Sequence, residues 1–231
     1  MIISHKLTKG ILLKRYKRFL ADIQLDDEEI ITAHCPNSGS MLTCSTPGSP
    51  VLLSRSNNPK RKYPYTWELI YSNGGWVGIN TQLTNQLVKE AIIRDRIHEL
   101  RGYTNIKSEV HVGENSRLDL LLSNEDDLCY VEVKNVTLVV AHTAYFPDAV
   151  TIRGLKHLNE LINLRKAGYR TVTFYLIQRT DCGIFKPAYH IDLDYGKALK
   201  KAISCGVEAL VYQASIIPPK IKVSKPIPLE F

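Results

Sequence analysis

No stretch of eighteen consecutive apolar residues occurs in the 231-residue chain, which excludes a membrane-spanning helix. Cysteine is scarce and scattered: Cys35, Cys44, Cys129, Cys182 and Cys205 are odd in number and form no CxxC spacing. That argues against a disulfide framework or a zinc ribbon, and a reduced, cytoplasmic setting is expected. The opening Met1-Ile2-Ile3-Ser4-His5-Lys6 lacks the longer apolar core of a secretory signal. Neither an internal repeat nor a low-complexity tract is present. With 44% apolar and 23% charged residues, the chain can build a core and is not disordered by composition. Its length predicts two domains rather than one.

Charge is the first positive signal. Thirty Lys and Arg against 23 Asp and Glu leave a net +7, a balance that attracts nucleic acid, anionic membrane or other polyanions. Through residue 80 there are ten basic and six acidic residues, against twenty and seventeen in the remainder. The net positive surplus, +4 against +3, is therefore denser in the first third of the chain.

That first third reads as β structure. Short apolar runs at Ile11-Leu12-Leu13, Phe19 to Leu25, Ile30 to His34, Val51-Leu52-Leu53, Tyr65 to Tyr71 and Trp76 to Ile79 are separated by turns such as Asp26-Asp27-Glu28-Glu29 and Asn73-Gly74-Gly75. Five or six closely spaced strands without a helical period predict a small OB-like barrel over residues 1–80, a fold that commonly holds oligonucleotides. From Thr81 the pattern changes: Leu83, Leu87, Ala91, Ile93, Ile97 and Leu100 recur at helical spacing up to Gly102. Strands follow at 106–112, 117–122, 129–134 and 136–140. A helix over 151–167 stops at Gly168, and a strand (Val172 to Ile177), a helix (192–205) and a strand (Val207 to Gln213) complete the order. This predicts a mixed α/β domain over 81–217, making the fold class α+β. The Pro-rich segment 218–231 is expected to be an extended tail of little consequence.

The sharpest chemistry lies in two consecutive strands, one carrying Asp119 and the next Glu132-Val133-Lys134. Alternation along a strand puts Glu132 and Lys134 on one face, and a hairpin register can bring Asp119 beside Glu132. Two carboxylates among apolar residues repel each other and resist desolvation. A divalent cation relieves both problems, and oxygen-only ligation suits Mg²⁺ or Mn²⁺ rather than zinc. Lys134 would supply a fixed cation to orient a water or to stabilise charge on a phosphate. On the preceding helix Glu90 is the inward candidate for supporting a water or second ion; its other reading is a surface acid paired with Arg94 at i+4.

A helix with Glu, a strand with Asp, a strand with ExK and a further helix resemble the PD-(D/E)xK nuclease superfamily. A closer resemblance spans almost the whole chain. Its blocks are Arg15-Tyr16-Lys17-Arg18-Phe19-Leu20-Ala21-Asp22, His34-Cys35-Pro36-Asn37, Ser38-Gly39-Ser40-Met41, Lys60-Arg61-Lys62-Tyr63, Thr66-Trp67-Glu68-Leu69, Tyr130 to Leu138, Phe146 to Thr151, Arg153-Gly154 and Lys156-His157-Leu158. In that order they resemble the sugar fermentation stimulation protein family (SfsA). The resemblance implies an N-terminal OB-like domain, a nuclease-like C-terminal domain, non-specific DNA binding and a regulatory role in sugar (maltose) metabolism. Asp119, Glu132 and Lys134 match the family's motif. Ile152 stands where the family usually has an acid before Arg-Gly, so any role of that acid is lost here.

Lys14, Arg15, Lys17 and Arg18 interleave with Tyr16 and Phe19, while Lys60, Arg61 and Lys62 precede Tyr63 and Tyr65. Cations for phosphates beside aromatics suit a single-strand platform, although lysine-rich strand edges also serve to block aggregation. Arg153 and Lys156 open a helix whose N-terminal end favours anions, so both are expected near phosphate. His34 and Cys35, as neighbours on a strand, point apart and do not make a nucleophile and base. Asp148 is expected near the N-cap of the helix that follows. The reading is a cytoplasmic, non-sequence-specific DNA-binding protein that cuts phosphodiesters with Mg²⁺ or Mn²⁺. Its rivals are a DNA-binding regulator without catalysis and, more remotely, a phosphometabolite enzyme.

Overall fold

The computed structural model describes residues 1–4, 6–113 and 116–231; His5, from the opening stretch, and Glu114 and Asn115 lie outside the described residues. The chain starts as six strands: β1 (Leu7–Tyr16), β2 (Leu20–Leu25), β3 (Ile30–His34), β4 (Pro50–Arg55), β5 (Tyr65–Ser72) and β6 (Gly75–Gly78). They hydrogen-bond in the order β3-β2-β1-β4-β5-β6, and a parallel bridge from His34 to Thr66 joins β3 to β5. The first five strands thereby close into a barrel. Inward residues alternate along each strand, as on β2, where Ala21, Ile23 and Leu25 are buried. They meet Leu12, Val51, Leu53 and Trp67 in one core. The Asn73-Gly74 turn between β5 and β6 has positive φ at both residues (50° and 80°), the requirement of a two-residue hairpin matched to strand twist. Gly10 lies so close to β2 that a Cβ there would sit 2.6 Å from Ile23 Cγ2.

The second domain begins with α1 (Thr84–Ile93). Then come β7 (Asn105–Val112), β8 (Ser116–Ser123), β9 (Leu128–Val136), β10 (Leu138–Val140), β11 (Thr143–Phe146) and α2 (Ile152–Lys166). They are followed by β12 (Arg170–Ile177), β13 (Ile184–Pro187), α3 (Leu193–Ser204), β14 (Glu208–Ile217) and β15 (Lys220–Pro226). The main sheet runs β15-β14-β12-β9-β8-β7, with β12 parallel to both β9 and β14. Strand β12 is buried from Thr171 through Ile177, as expected for a central parallel strand covered on both faces. One covering layer is α2 with α3, through Leu158, Leu161, Tyr195 and Leu199. The other holds α1 and the barrel: Leu87, Val88 and Ala91 share a cluster with barrel residues Leu52 and Leu69 and sheet residues Val131, Val133 and Phe174. A single apolar cluster thus spans both domains. An OB domain followed by a mixed α/β domain is the architecture.

Two expectations need correction, and one sheet goes beyond them. The first helix does not continue to Leu100. It ends at Ile93, which is exposed, and Asp95 takes a left-handed conformation (φ 52°) before a short 3₁₀ turn at His98–Leu100. Residues 218–231 are not a loose tail. Strand β15 pairs antiparallel with β14 and buries Ile221 and Val223, while Leu229 bridges Phe185. In the small sheet β10-β11-β13, β10 falls within the strand expected at 136–140, whereas β11 and β13 were not foreseen, because four-residue strands carry almost no periodic signal.

Candidate active site and nucleic-acid interface

The β8–β9 ladder runs from Ser123–Leu128 to Leu120–Val131. Just beyond the last pair the Asp119 side chain takes over: Oδ2 accepts the Val133 backbone N–H at 2.7 Å, and Oδ1 accepts Asn85 Nδ2 from α1, also at 2.7 Å. Glu132 and Lys134, on one face of β9, meet α2. Lys134 Nζ donates to Glu132 Oε1 at 2.6 Å, and His157 Nδ1 bonds the same oxygen. Arg153 Nε lies 3.4 Å from His157 Nε2. An arginine can only donate, so Nε2 is the acceptor and Nδ1 carries the proton given to Glu132.

Glu132 is 3% exposed, and its second oxygen, Oε2, has no hydrogen-bond partner among the described residues. A buried carboxylate oxygen without a partner is costly unless something cationic meets it. Burial, and next the charge of Glu132, push Asp119 up to about 6. Burial also pushes Glu132 up, but the His157 hydrogen bond and the Lys134 ammonium outweigh it and hold that carboxyl below its usual range. Both acids, with Val133 and Lys134, line one cleft of about 730 Å³ between the domains. Among the described residues no group of three or more His, Cys, Asp and Glu stands ready to hold a metal. The two carboxylates instead fit a hard cation that keeps several waters, as Mg²⁺ and Mn²⁺ do.

The OB side of the cleft consists of Arg15, Arg18 and the loop Asn37–Ser40, facing Phe146–Thr151 and Arg153. The two sides are joined. Ser40 Oγ donates to the Asp148 carbonyl at 2.6 Å and the Met41 N–H donates to Asp148 Oδ2 at 3.1 Å. Asp148 is therefore an inter-domain clamp and not a helix cap; Thr151 caps α2 by accepting the Gly154 N–H at 3.0 Å. Behind the cleft, fully buried Arg179 pairs with Asp181 at 2.6 Å and reaches the Thr137 carbonyl and Thr43 Oγ1.

The structure brings Asp119, Glu132 and Lys134 together and leaves Glu90 out. Its carboxylate meets the Met1 amino group (3.0 Å) and Arg94 (3.0 Å) beside β15, lining a different cavity. On α1 the cleft is served by Thr84 and Asn85, five residues or more from Glu90 and thus on another side of the helix. Among the basic residues, Arg15 does not offer its terminal nitrogens to a phosphate, because they are directed at the carbonyls of Arg18, Asn37, Gly39 and Ser40. Lys14 pairs with Asp22 at 3.3 Å and lies over the Tyr16 ring. Lys17 and Arg18 form the β1–β2 turn, both with positive φ, and Arg18 reaches the cleft. Lys60, Arg61 and Lys62 sit on the β4–β5 connection outside the cleft lining, with Lys62 over Tyr63. Lys156 lines a neighbouring hollow with His111, Ser116, Arg117, Ile152, Arg153 and His157. Cys35 is buried and its thiol is pushed up by burial, so it is not a nucleophile.

Sequence reasoning passed over Asn85 and His157. His157 sat in a quoted block, but its buried contact with Glu132 depends on how α2 crosses β9. A family model described as the sugar fermentation stimulation protein RE domain matches residues 82–220, and one described as the SfsA N-terminal OB domain matches residues 13–79. The chain belongs to the sugar fermentation stimulation protein family. Family members similar to it include the homolog of Geotalea uraniireducens, 55% identical over 94% of each chain, and that of Geobacter sulfurreducens, 52% identical over 99% of this chain and 98% of the relative. Among solved structures, Pyrococcus furiosus SfsA in complex with Ca²⁺ superposes with a TM-score of 0.91 at 27% identity, covering all of both chains. No helix among the described residues is long and apolar enough to cross a membrane.

Proposed function

We propose that this protein binds nucleic acid, DNA in the first instance, between its OB barrel and its α/β domain, and hydrolyses phosphodiesters there with Mg²⁺ or Mn²⁺. The observation that carries this reading is the cleft floor: two carboxylates and an ammonium group together, one carboxylate oxygen buried without a partner among the described residues. The Ca²⁺ bound to the Pyrococcus relative supports a divalent-cation site here, since Ca²⁺ also takes carboxylate oxygens.

Asp119 and Glu132 would hold the cation, which when bound supplies a Lewis acid for the phosphoryl oxygen and lowers the pKa of water. His157 and Lys134 fix Glu132 through Oε1 and leave Oε2 for the ion. Lys134 has further N–H groups to orient the attacking water and to offset charge on the phosphate. Arg153 and Arg18 would hold phosphates on the two rims, a task for which guanidinium geometry is suited.

The test is incubation of labelled DNA and RNA with Mn²⁺ or Mg²⁺, using the wild type, Asp119→Ala and Glu90→Gln. Cutting that disappears in Asp119→Ala, while binding persists and Glu90→Gln cuts within about twofold of wild type, is the expected result. Binding without cutting for every metal and substrate would instead leave a regulator of sugar (maltose) metabolism without catalysis.

A further inference from the structure

We infer that the cleft admits a single strand of nucleic acid rather than a duplex, with one base stacked on Phe19 at its rim. The inference rests on the hydrolytic reading above for the identity of the ligand, and on two further observations for its form.

The first is a cleft whose two sides are tied together. Its walls are bonded to each other by the Ser40 and Met41 contacts to Asp148. Gly39 packs so tightly there that a Cβ would lie 2.8 Å from Asp148 Oδ1. Behind them, Arg179 ties Thr43 of the OB domain to Thr137, between β9 and β10. The cleft is open to solvent and holds about 730 Å³. Glu132 lies at the bottom, almost wholly buried. A phosphate of a duplex brings the complementary strand with it, whereas an unpaired strand can present a phosphate to Glu132 past these bonded walls by itself.

The second is the chemistry of the rim. Phe19 follows Arg18 in the β1–β2 turn and is 51% exposed. Tyr16, the other aromatic of that stretch, has its hydroxyl on Asp22 and Lys14 over its ring. On the facing wall Val150, which lines the cleft, is 71% exposed, and Ile152 is 82% exposed. Apolar groups left in water beside Arg18 and Arg153 match the needs of a single strand, whose bases seek flat apolar surface while its phosphates seek cations.

Equilibrium anisotropy in EDTA separates this from the hydrolytic reading, because no cutting is required. The probes are a labelled oligothymidylate and a blunt-ended hairpin duplex of equal phosphate number. The single strand is expected to bind several-fold more tightly. Phe19→Ala should weaken it about tenfold, the typical loss of one stacked base, and change the duplex less than twofold. Phe19→Trp should keep the affinity, and oligothymidylate should quench the added fluorescence. Equal strand affinity in Phe19→Ala, or duplex preference with the same dependence on Phe19, would overturn the inference. With Mn²⁺ and the same probes, cutting of duplex alone would also overturn it while sparing the hydrolytic reading. Phe19-dependent strand binding with no cutting at all would uphold it and sink hydrolysis.

Discussion

Replacing Asp119 by Asn should stabilise the metal-free protein. A carboxyl whose pKa moves from 3.8 to about 6 on folding holds, between those pH values, a proton that the unfolded chain has already released. Stability therefore falls as pH rises across that window and stays low above it. The full displacement corresponds to about 3 kcal/mol; the water that reaches a partly exposed side chain trims this, and about 2 kcal/mol is expected. Asparagine keeps an oxygen for the Val133 N–H, and Asn85 can turn its amide to present oxygen to the new nitrogen. Urea unfolding in EDTA at about pH 8 should thus show Asp119→Asn more stable by about 2 kcal/mol. The gain should shrink to near zero below about pH 4, where Asp119 is protonated in both states. For a chain of this length that is roughly 4–8 °C in Tm. Adding Ca²⁺ should reverse the order, raising the wild type and leaving the variant almost unmoved. Asp119→Asn proving less stable than wild type in EDTA at about pH 8, or gaining as much from Ca²⁺, would refute the electrostatic account of the site.

Two other substitutions probe the supports of the cleft. His157→Ala should weaken divalent-cation binding by about 10–100-fold in calorimetric titration, because Glu132 loses a partner that orients it. Arg179→Ala should destabilise the fold by about 3–5 kcal/mol in urea, since it leaves Asp181 without its cation and Thr137 without its donor, and Arg179→Lys should not restore the bidentate pair.

Much of the fold was legible because its signals are local. Alternating apolar residues mark β2, the Asn73-Gly74 dipeptide marks a turn between strands, and the mostly apolar run from Val172 to Ile177 marks β12 as a strand. Helix α1 was overextended because Ile93, Ile97 and Leu100 keep an apolar rhythm across a chain that has already turned at Asp95. Segment 218–231 looked idle because an edge strand is recognisable only once its neighbour is known. The same division holds for the site. Strand alternation alone puts Glu132 and Lys134 on one face, and hairpin adjacency puts Asp119 next to them.

What only tertiary structure decided is which partners arrive from elsewhere. Helix α1 turns Asn85 toward Asp119 and takes Glu90 to the N-terminal amine. Helix α2 drops His157 onto Glu132. The barrel's 37–41 loop consumes Arg15 and lands on Asp148, more than a hundred residues away in the chain. The physical reason is range. Backbone geometry repeats every two or 3.6 residues and can be read along a string, whereas the packing of one layer against another depends on the summed burial of side chains scattered over the whole chain.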